Sequence, residues 1–133
     1  MSRKKQSRII MIWYFKVLKQ YADFNGRARR KEYWMFALFN SIFAWGAMIL
    51  DNIFGIAIEG WGYGPLYILY MLPMIIPGIA VGVRRMHDVG KSGWFLLIPI
   101  YNLILAFTGG EKGTNQYGSD PKEVSVKEHD NLP

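Results

Sequence analysis

Two short basic clusters hold most of the side chains able to do chemistry. Gly26-Arg27-Ala28-Arg29-Arg30-Lys31-Glu32-Tyr33-Trp34 opens one long apolar stretch, and Val83-Arg84-Arg85-Met86-His87-Asp88 closes another. Arginine offers a planar fork of donors that grips phosphate or carboxylate at two points, and lysine adds a compact charge. These residue types therefore suggest capture of an anionic group by Arg27, Arg29, Arg30, Lys31, Arg84 and Arg85, with His87 and Asp88 beside them. Anchoring the chain at a membrane surface is the plainer use of the same charges. Glu32 and Asp88 are the available counter-ions, and an ion pair from Glu32 to Arg84 or Arg85 is expected. His87-Asp88 has the composition of a general base or of part of a metal site. The other histidine, His129, lies in a polar tail, and no carboxylates are spaced to complete a metal shell. Cysteine is absent, which removes disulfides, thiolate ligands and a thiol nucleophile. The sequence predicts no catalytic residue, no metal and no cofactor.

The elements that must position these clusters are apolar. Residues 33–50, about 61–83 and about 93–107 contain no Lys, Arg, Asp, Glu or His; all 16 basic and 10 acidic residues lie outside them. Buried helices of a soluble bundle normally carry a polar stripe, and these carry none. Eighteen helical residues cover about 27 Å, close to a hydrocarbon core of about 30 Å. The fold class expected is an all-α integral membrane protein with about three transmembrane helices. The third stretch is short and contains Pro99, so a re-entrant segment is the alternative to a full span. Upstream, Ile10, Trp13, Tyr14, Val17, Tyr21 and Phe24 recur at three- and four-residue spacing opposite Lys16, Lys19, Gln20 and Asp23. This predicts an amphipathic helix over about 10–24, lying in the membrane interface or else packing on the protein's own helices. No small-x-small cleavage site follows the apolar run 9–15, so the first span is expected to act as an uncleaved signal. Residues 1–121 are read as one membrane domain and 122–133 as a disordered tail.

Charge orients the chain. Ten Lys or Arg precede the first span against two acids, and residues 51–60 have only Asp51 and Glu59. The positive-inside rule then puts the N-terminus and the 84–92 segment in the cytoplasm. Strict alternation puts the tail outside; a re-entrant third segment returns it to the cytoplasm. Within the spans, Asn40 and Asn102 fall at similar depths and are expected to bond between helices, each bond worth about 1 kcal/mol. Gly78-x-x-x-Gly82 reads as a close-packing face within or between protomers, and Pro73 and Pro77 as a kink.

Several motifs recur in a fixed order. Trp13-Tyr14-Phe15-Lys16-Val17-Leu18-Lys19 leads to Tyr21 and Phe24, then to the two basic clusters, then to Lys91-Ser92-Gly93-Trp94 and Asn115-Gln116-Tyr117-Gly118-Ser119-Asp120-Pro121. Together, over roughly residues 11–121, they resemble the domain of unknown function 805 family, small bacterial inner-membrane proteins of the YhaH/YhaI type. The resemblance implies a multi-helix inner-membrane protein and supplies no activity. The third stretch looks shorter here than in many members of that family, which leaves the implied helix count and the side of the tail open.

The net charge of +6 tracks the membrane segments, so no nucleic acid is expected as a partner. The spans hold no acid that a proton-coupled exporter would need. The reading is a non-enzymatic inner-membrane protein with a cytoplasmic N-terminus. Its basic cytoplasmic face, Arg27, Arg29, Arg30, Lys31, Arg84, Arg85, His87 and Asp88, binds anionic lipid headgroups or an acidic partner in an adaptor or envelope-maintenance role. The alternative is a small oligomeric channel or transporter lined near Asn40 and Asn102.

Overall fold

The structure, a computed structural model, describes residues 3–124, with residues 5–10 described by their backbone only. The chain runs as helix α1 (Arg3–Lys19), α2 (Arg30–Ile53), α3 (Pro65–Asp88), a 3₁₀-helix (Gly93–Leu97) and α4 (Tyr101–Phe107). Among the described residues there is no strand, only an isolated bridge between Asn115 and Gly118. The disordered tail expected over 122–133, with His129, lies almost wholly outside the described residues.

Helices α2 and α3, 24 residues each, are long and apolar enough to cross a membrane. At 1.5 Å per residue each covers about 36 Å. Their outward faces are apolar: Leu38, Ile42, Trp45, Ile49 and Ile53 on α2, and Leu69, Leu72, Ile75, Ile76 and Ile79 on α3 are exposed. Water would oppose such surfaces, whereas hydrocarbon accepts them.

The two helices form an antiparallel pair tied at both ends. At one end Asp51, buried near the end of α2, accepts hydrogen bonds from the main-chain N–H groups of Gly64 (2.9 Å), Leu66 (3.0 Å) and Tyr67 (3.0 Å). One helix thus supplies the N-terminal cap of the next, using donors that the first turn of any helix leaves unpaired. Gly64 must be glycine here: a Cβ would stand 2.6 Å from the Ile56 carbonyl oxygen and 3.1 Å from Asp51 Cγ. Asp51→Ala is expected to cost about 2 kcal/mol, and Asp51→Asn clearly less. The thermal aggregation midpoint of detergent-solubilised protein measures both.

Within α3, Pro77 lacks the N–H that would pair with the Pro73 carbonyl. The Tyr21 hydroxyl donates to that carbonyl instead, at 2.8 Å. The turn after α1 thereby satisfies the acceptor the proline frees.

Helix α1 spans Arg3–Lys19 rather than 10–24, and 20–22 form a turn. Its expected face packs on the protein's own helices. Tyr14 and Val17 are buried with Ala28, Phe36 and Val81, and the Tyr14 ring stacks on Phe36 at 5.6 Å. Tyr21 and Phe24, expected on that face, are exposed, as are Ile12 and Phe15.

The third apolar stretch forms no spanning helix. Pro99 cannot donate a hydrogen bond and favours extended backbone before it; Ile98 is extended (φ −89, ψ 108), and Ile100 takes a left-handed φ of 68. The 3₁₀-helix and the seven residues of α4 are each far too short to cross. The segment leaves the end of α3 and returns to the start of α2, where Trp34 Nε1 donates to the Ala106 carbonyl (3.1 Å) and stacks on Phe107 at 4.3 Å. The expected full span is therefore replaced by a loop that begins and ends at one end of the helix pair. Met86, Val89 and Leu105, with Phe95, Leu96 and Tyr101, form its core.

Candidate functional site

Helix α3 runs on to Asp88, so Arg84, Arg85, His87 and Asp88 occupy its last turns rather than a loop. The N-terminal cluster straddles the start of α2 at the same end of the pair. Between them lies a buried charge network. Arg84 is 1% exposed, and Glu32 and Arg85 are fully buried. Glu32 accepts from Arg84 Nη1 at 2.6 Å and from Lys16 Nζ at 2.8 Å, and Arg84 Nη1 also donates to Gln20 Oε1 at 3.0 Å. Asp88 accepts from Arg27 Nε at 3.0 Å and Arg85 Nη1 at 2.5 Å. The pair expected from Glu32 thus reaches Arg84, and Arg85 goes to Asp88.

These cations outnumber the two carboxylates, and main-chain carbonyls take up the excess. Arg85 donates to the carbonyls of Ala28 (3.2 Å) and Thr108; Arg27 donates to those of Gly113 (2.6 Å) and Glu111. A buried ion is tolerated only when its desolvation is offset by partners on every side. The arrangement also explains a glycine: a Cβ at Gly110 would stand 2.1 Å from Asp88 Oδ2.

Residues 110–121 form a clasp over this network. The Glu111 N–H donates to the Asp88 carbonyl at 2.7 Å, and Asn115 Nδ2 to the His87 carbonyl at 3.0 Å. The Tyr117 ring stacks on His87 at 4.0 Å with the planes 3° apart. Asp120 fastens the clasp by accepting from the N–H groups of Gly113 (3.0 Å) and Lys122 (2.9 Å). Burial pushes its carboxyl upward, but those N–H groups and the Arg27 and Lys122 charges outweigh it and hold the group below its ordinary value. His87 Nδ1 faces the Gly26 carbonyl at 3.0 Å while Asp88 is held by two arginines, so the two adjacent residues do not act on each other.

The remaining cluster residues point elsewhere. Arg30 and Lys31 are exposed and Arg29 is half-buried. Arg30 Nη1 reaches the Phe107 carbonyl at 3.0 Å. The Arg29 guanidinium and Lys31 Nζ lie over the Trp13 ring, 5.4 and 5.8 Å from its centre. A groove of about 500 Å³ runs beside them, between α1 and the clasp. The eight expected site residues thus divide: Arg27, Arg84, Arg85 and Asp88 are buried inside the protein, His87 is stacked, Arg29 is half-buried over Trp13, and Arg30 and Lys31 face outward. Lys16, Gln20, Trp13 and Glu32 join the site from outside that set. Trp13 and Lys16, three residues apart on α1, line the same groove, but nothing in the sequence fixed α1 against α2.

The packing residues have separate partners. Asn40 Oδ1 accepts from the Tyr70 hydroxyl at 3.0 Å, which in turn meets the Tyr14 hydroxyl at 2.9 Å. Asn102 Nδ2 donates to the Leu96 carbonyl at 2.8 Å inside the returning segment, so the two asparagines do not meet. A Cβ at Gly82 would lie 2.9 Å from Leu96, and one at Gly78 lies 3.8 Å from Phe36. Both glycines therefore sit at contacts within the chain.

Comparison with known proteins fits this arrangement. Residues 21–119, which include both clusters and nearly all of the clasp, match the family described as Protein of unknown function (DUF805). The chain is 44% identical to "Inner membrane protein YhaH" of Escherichia coli (strain K12) over 119 residues, covering 84% of this chain and 98% of that protein. It is 42% identical to "Inner membrane protein YhaI" of the same organism, covering 84% and 97%. No solved structure matches. The buried charges, the clasp and the two long apolar helices all lie within or beside the matched region, and the chain belongs to the DUF805 family.

Proposed function

We propose that the protein is a non-enzymatic binding module of the bacterial inner membrane, with α1, the basic clusters and the clasp in the cytoplasm. In this reading the chain crosses the bilayer twice, on α2 and α3, and the 93–107 segment dips in and returns. The inner-membrane location follows the names of its relatives. The orientation rests on the positive-inside rule, since the exposed basic residues lie at the end away from Asp51.

The ligand of the basic face is an anionic lipid headgroup. One observation carries this reading: Arg27, Arg84 and Arg85 are buried among internal partners, whereas Arg30 and Lys31 are exposed at the mouth of a spanning helix. Charge at that depth meets lipid phosphates, and each basic residue there contributes about 1 kcal/mol. The buried set builds the platform and the outward set reads the bilayer.

In nanodiscs of equal phosphatidylglycerol and phosphatidylcholine, the protein is expected to retain phosphatidylglycerol selectively on gentle extraction. Arg30→Gln with Lys31→Gln should lower that retention roughly thirtyfold. A parent protein that retains the two lipids equally overturns the reading, and capture of an acidic protein in place of lipid does so too.

A further inference from the structure

The groove between α1 and the clasp is lined by Ile12, Trp13, Lys16, Gln20, Arg27 and Arg29, among others. Its walls are rich in donors and poor in open acceptors. The one carboxylate on its lining, Asp23, is already occupied: Gln20 Nε2 and the Asn25 N–H donate to its two oxygens, each at 3.0 Å. Glu32, reached through Lys16, is likewise taken. Donors are left over. The indole N–H of Trp13 is buried and meets no acceptor among the described residues. Behind the lining, Arg84 bonds Gln20 and is 1% exposed, and its Nε and Nη2 also lack an acceptor among the described residues. A buried donor left without an acceptor is costly, and native proteins satisfy nearly all of them. Two cations over the single Trp13 ring add mutual repulsion that a bound anion would relieve.

The missing component is therefore an oxygen-rich anion. Its lining also holds apolar groups: Ile12, the Trp13 ring and Val124. Phosphate oxygens suit the donors, and these apolar groups suit the start of an acyl chain.

We propose that this groove is the specific seat of an anionic phospholipid, its phosphate held by Arg29, Lys16 and the Trp13 N–H and its glycerol and first acyl carbons lying along Ile12. This assignment rests on the lipid-binding reading above and adds to it a bounded site with its own donors. The outward Arg30 and Lys31 attract the lipid, and the groove selects it.

The test uses the full chain in phosphatidylcholine nanodiscs, with phosphatidylglycerol titrated in and retained lipid counted by native mass spectrometry. Trp13→Phe keeps the ring beneath Arg29 and Lys31 and removes only the N–H; it should lower retention about tenfold. Arg29→Gln should lower it at least as far, and Lys112→Gln, outside the groove, should leave it unchanged. Unaltered thermal midpoints show that the variants are folded. If the parent retains phosphatidylglycerol and both groove variants retain as much, the groove assignment fails while the broader lipid reading stands. If the parent retains none, both fail. Soluble glycerol phosphate binding to the lipid-free protein as tightly as the lipid would overturn the lipid as the source of the phosphate.

Discussion

Glu32→Ala is expected to remove about 3–5 kcal/mol of folding stability, a large fraction of what holds a typical domain of this size together. The substitution takes away one carboxylate and strands Arg84, which is 1% exposed and held at 2.6 Å; the Lys16 ammonium, 42% exposed, loses a 2.8 Å partner but keeps access to solvent. Uncompensated buried charge is the cost, rather than the loss of an attraction. A companion follows from the same physics. Replacing both members, as in Glu32→Ala with Arg84→Met, should recover much of the loss, because an apolar pair needs no partners. Glu32→Gln should fall between, since its carbonyl still accepts from one donor. Thermal aggregation midpoints in detergent rank the three variants. A Glu32→Ala protein within about 0.5 kcal/mol of the parent would mean the buried network contributes nothing to the fold.

The same network shows which features could be read from the chain. Helices α2 and α3 were legible because their apolar residues are continuous and charge-free, a pattern that survives any packing. Their limits were not. Hydropathy stops at Val83, but α3 continues through Arg84, Arg85 and Asp88 because charges pair across the helix ends and stay helical. Asp51 likewise looks like a loop acid until α3 is seen to begin on it. The period of α1 was legible in Tyr14 and Val17, while the surface that takes them, Phe36 and Val81, is distant in sequence. Pro99 signalled trouble in the third stretch, and the structure makes of it a full reversal rather than a short span.

The candidate site was legible in composition and not in roles. Six basic residues in two clusters announce an anionic preference, and a sequence cannot say which of them are spent internally. Arg27 bonds Gly113, 86 positions away, so its buried role depends wholly on tertiary structure. Tyr117-Gly118 and Asp120-Pro121 were readable as turns, but their docking on His87 and Arg27 was not.

The second large effect concerns sidedness, where the outcome is all or none. The clasp bonds Arg27 and Asp88, so residues near Lys112 must share a side of the membrane with the first basic cluster, and the proposed crossings on α2 and α3 put Glu59 on the other. The full-span expectation for residues 93–107 requires the opposite for Lys112. The chain has no cysteine, which permits a clean readout. Single cysteines at three exposed positions, Lys19→Cys, Glu59→Cys and Lys112→Cys, would be labelled with a membrane-impermeant maleimide in spheroplasts before and after permeabilisation. The account predicts labelling of Glu59→Cys alone in sealed spheroplasts and of all three once they are opened. Labelling of Lys112→Cys in sealed spheroplasts would place the clasp across the bilayer from Arg27 and contradict the shared cytoplasmic face on which the proposed function rests.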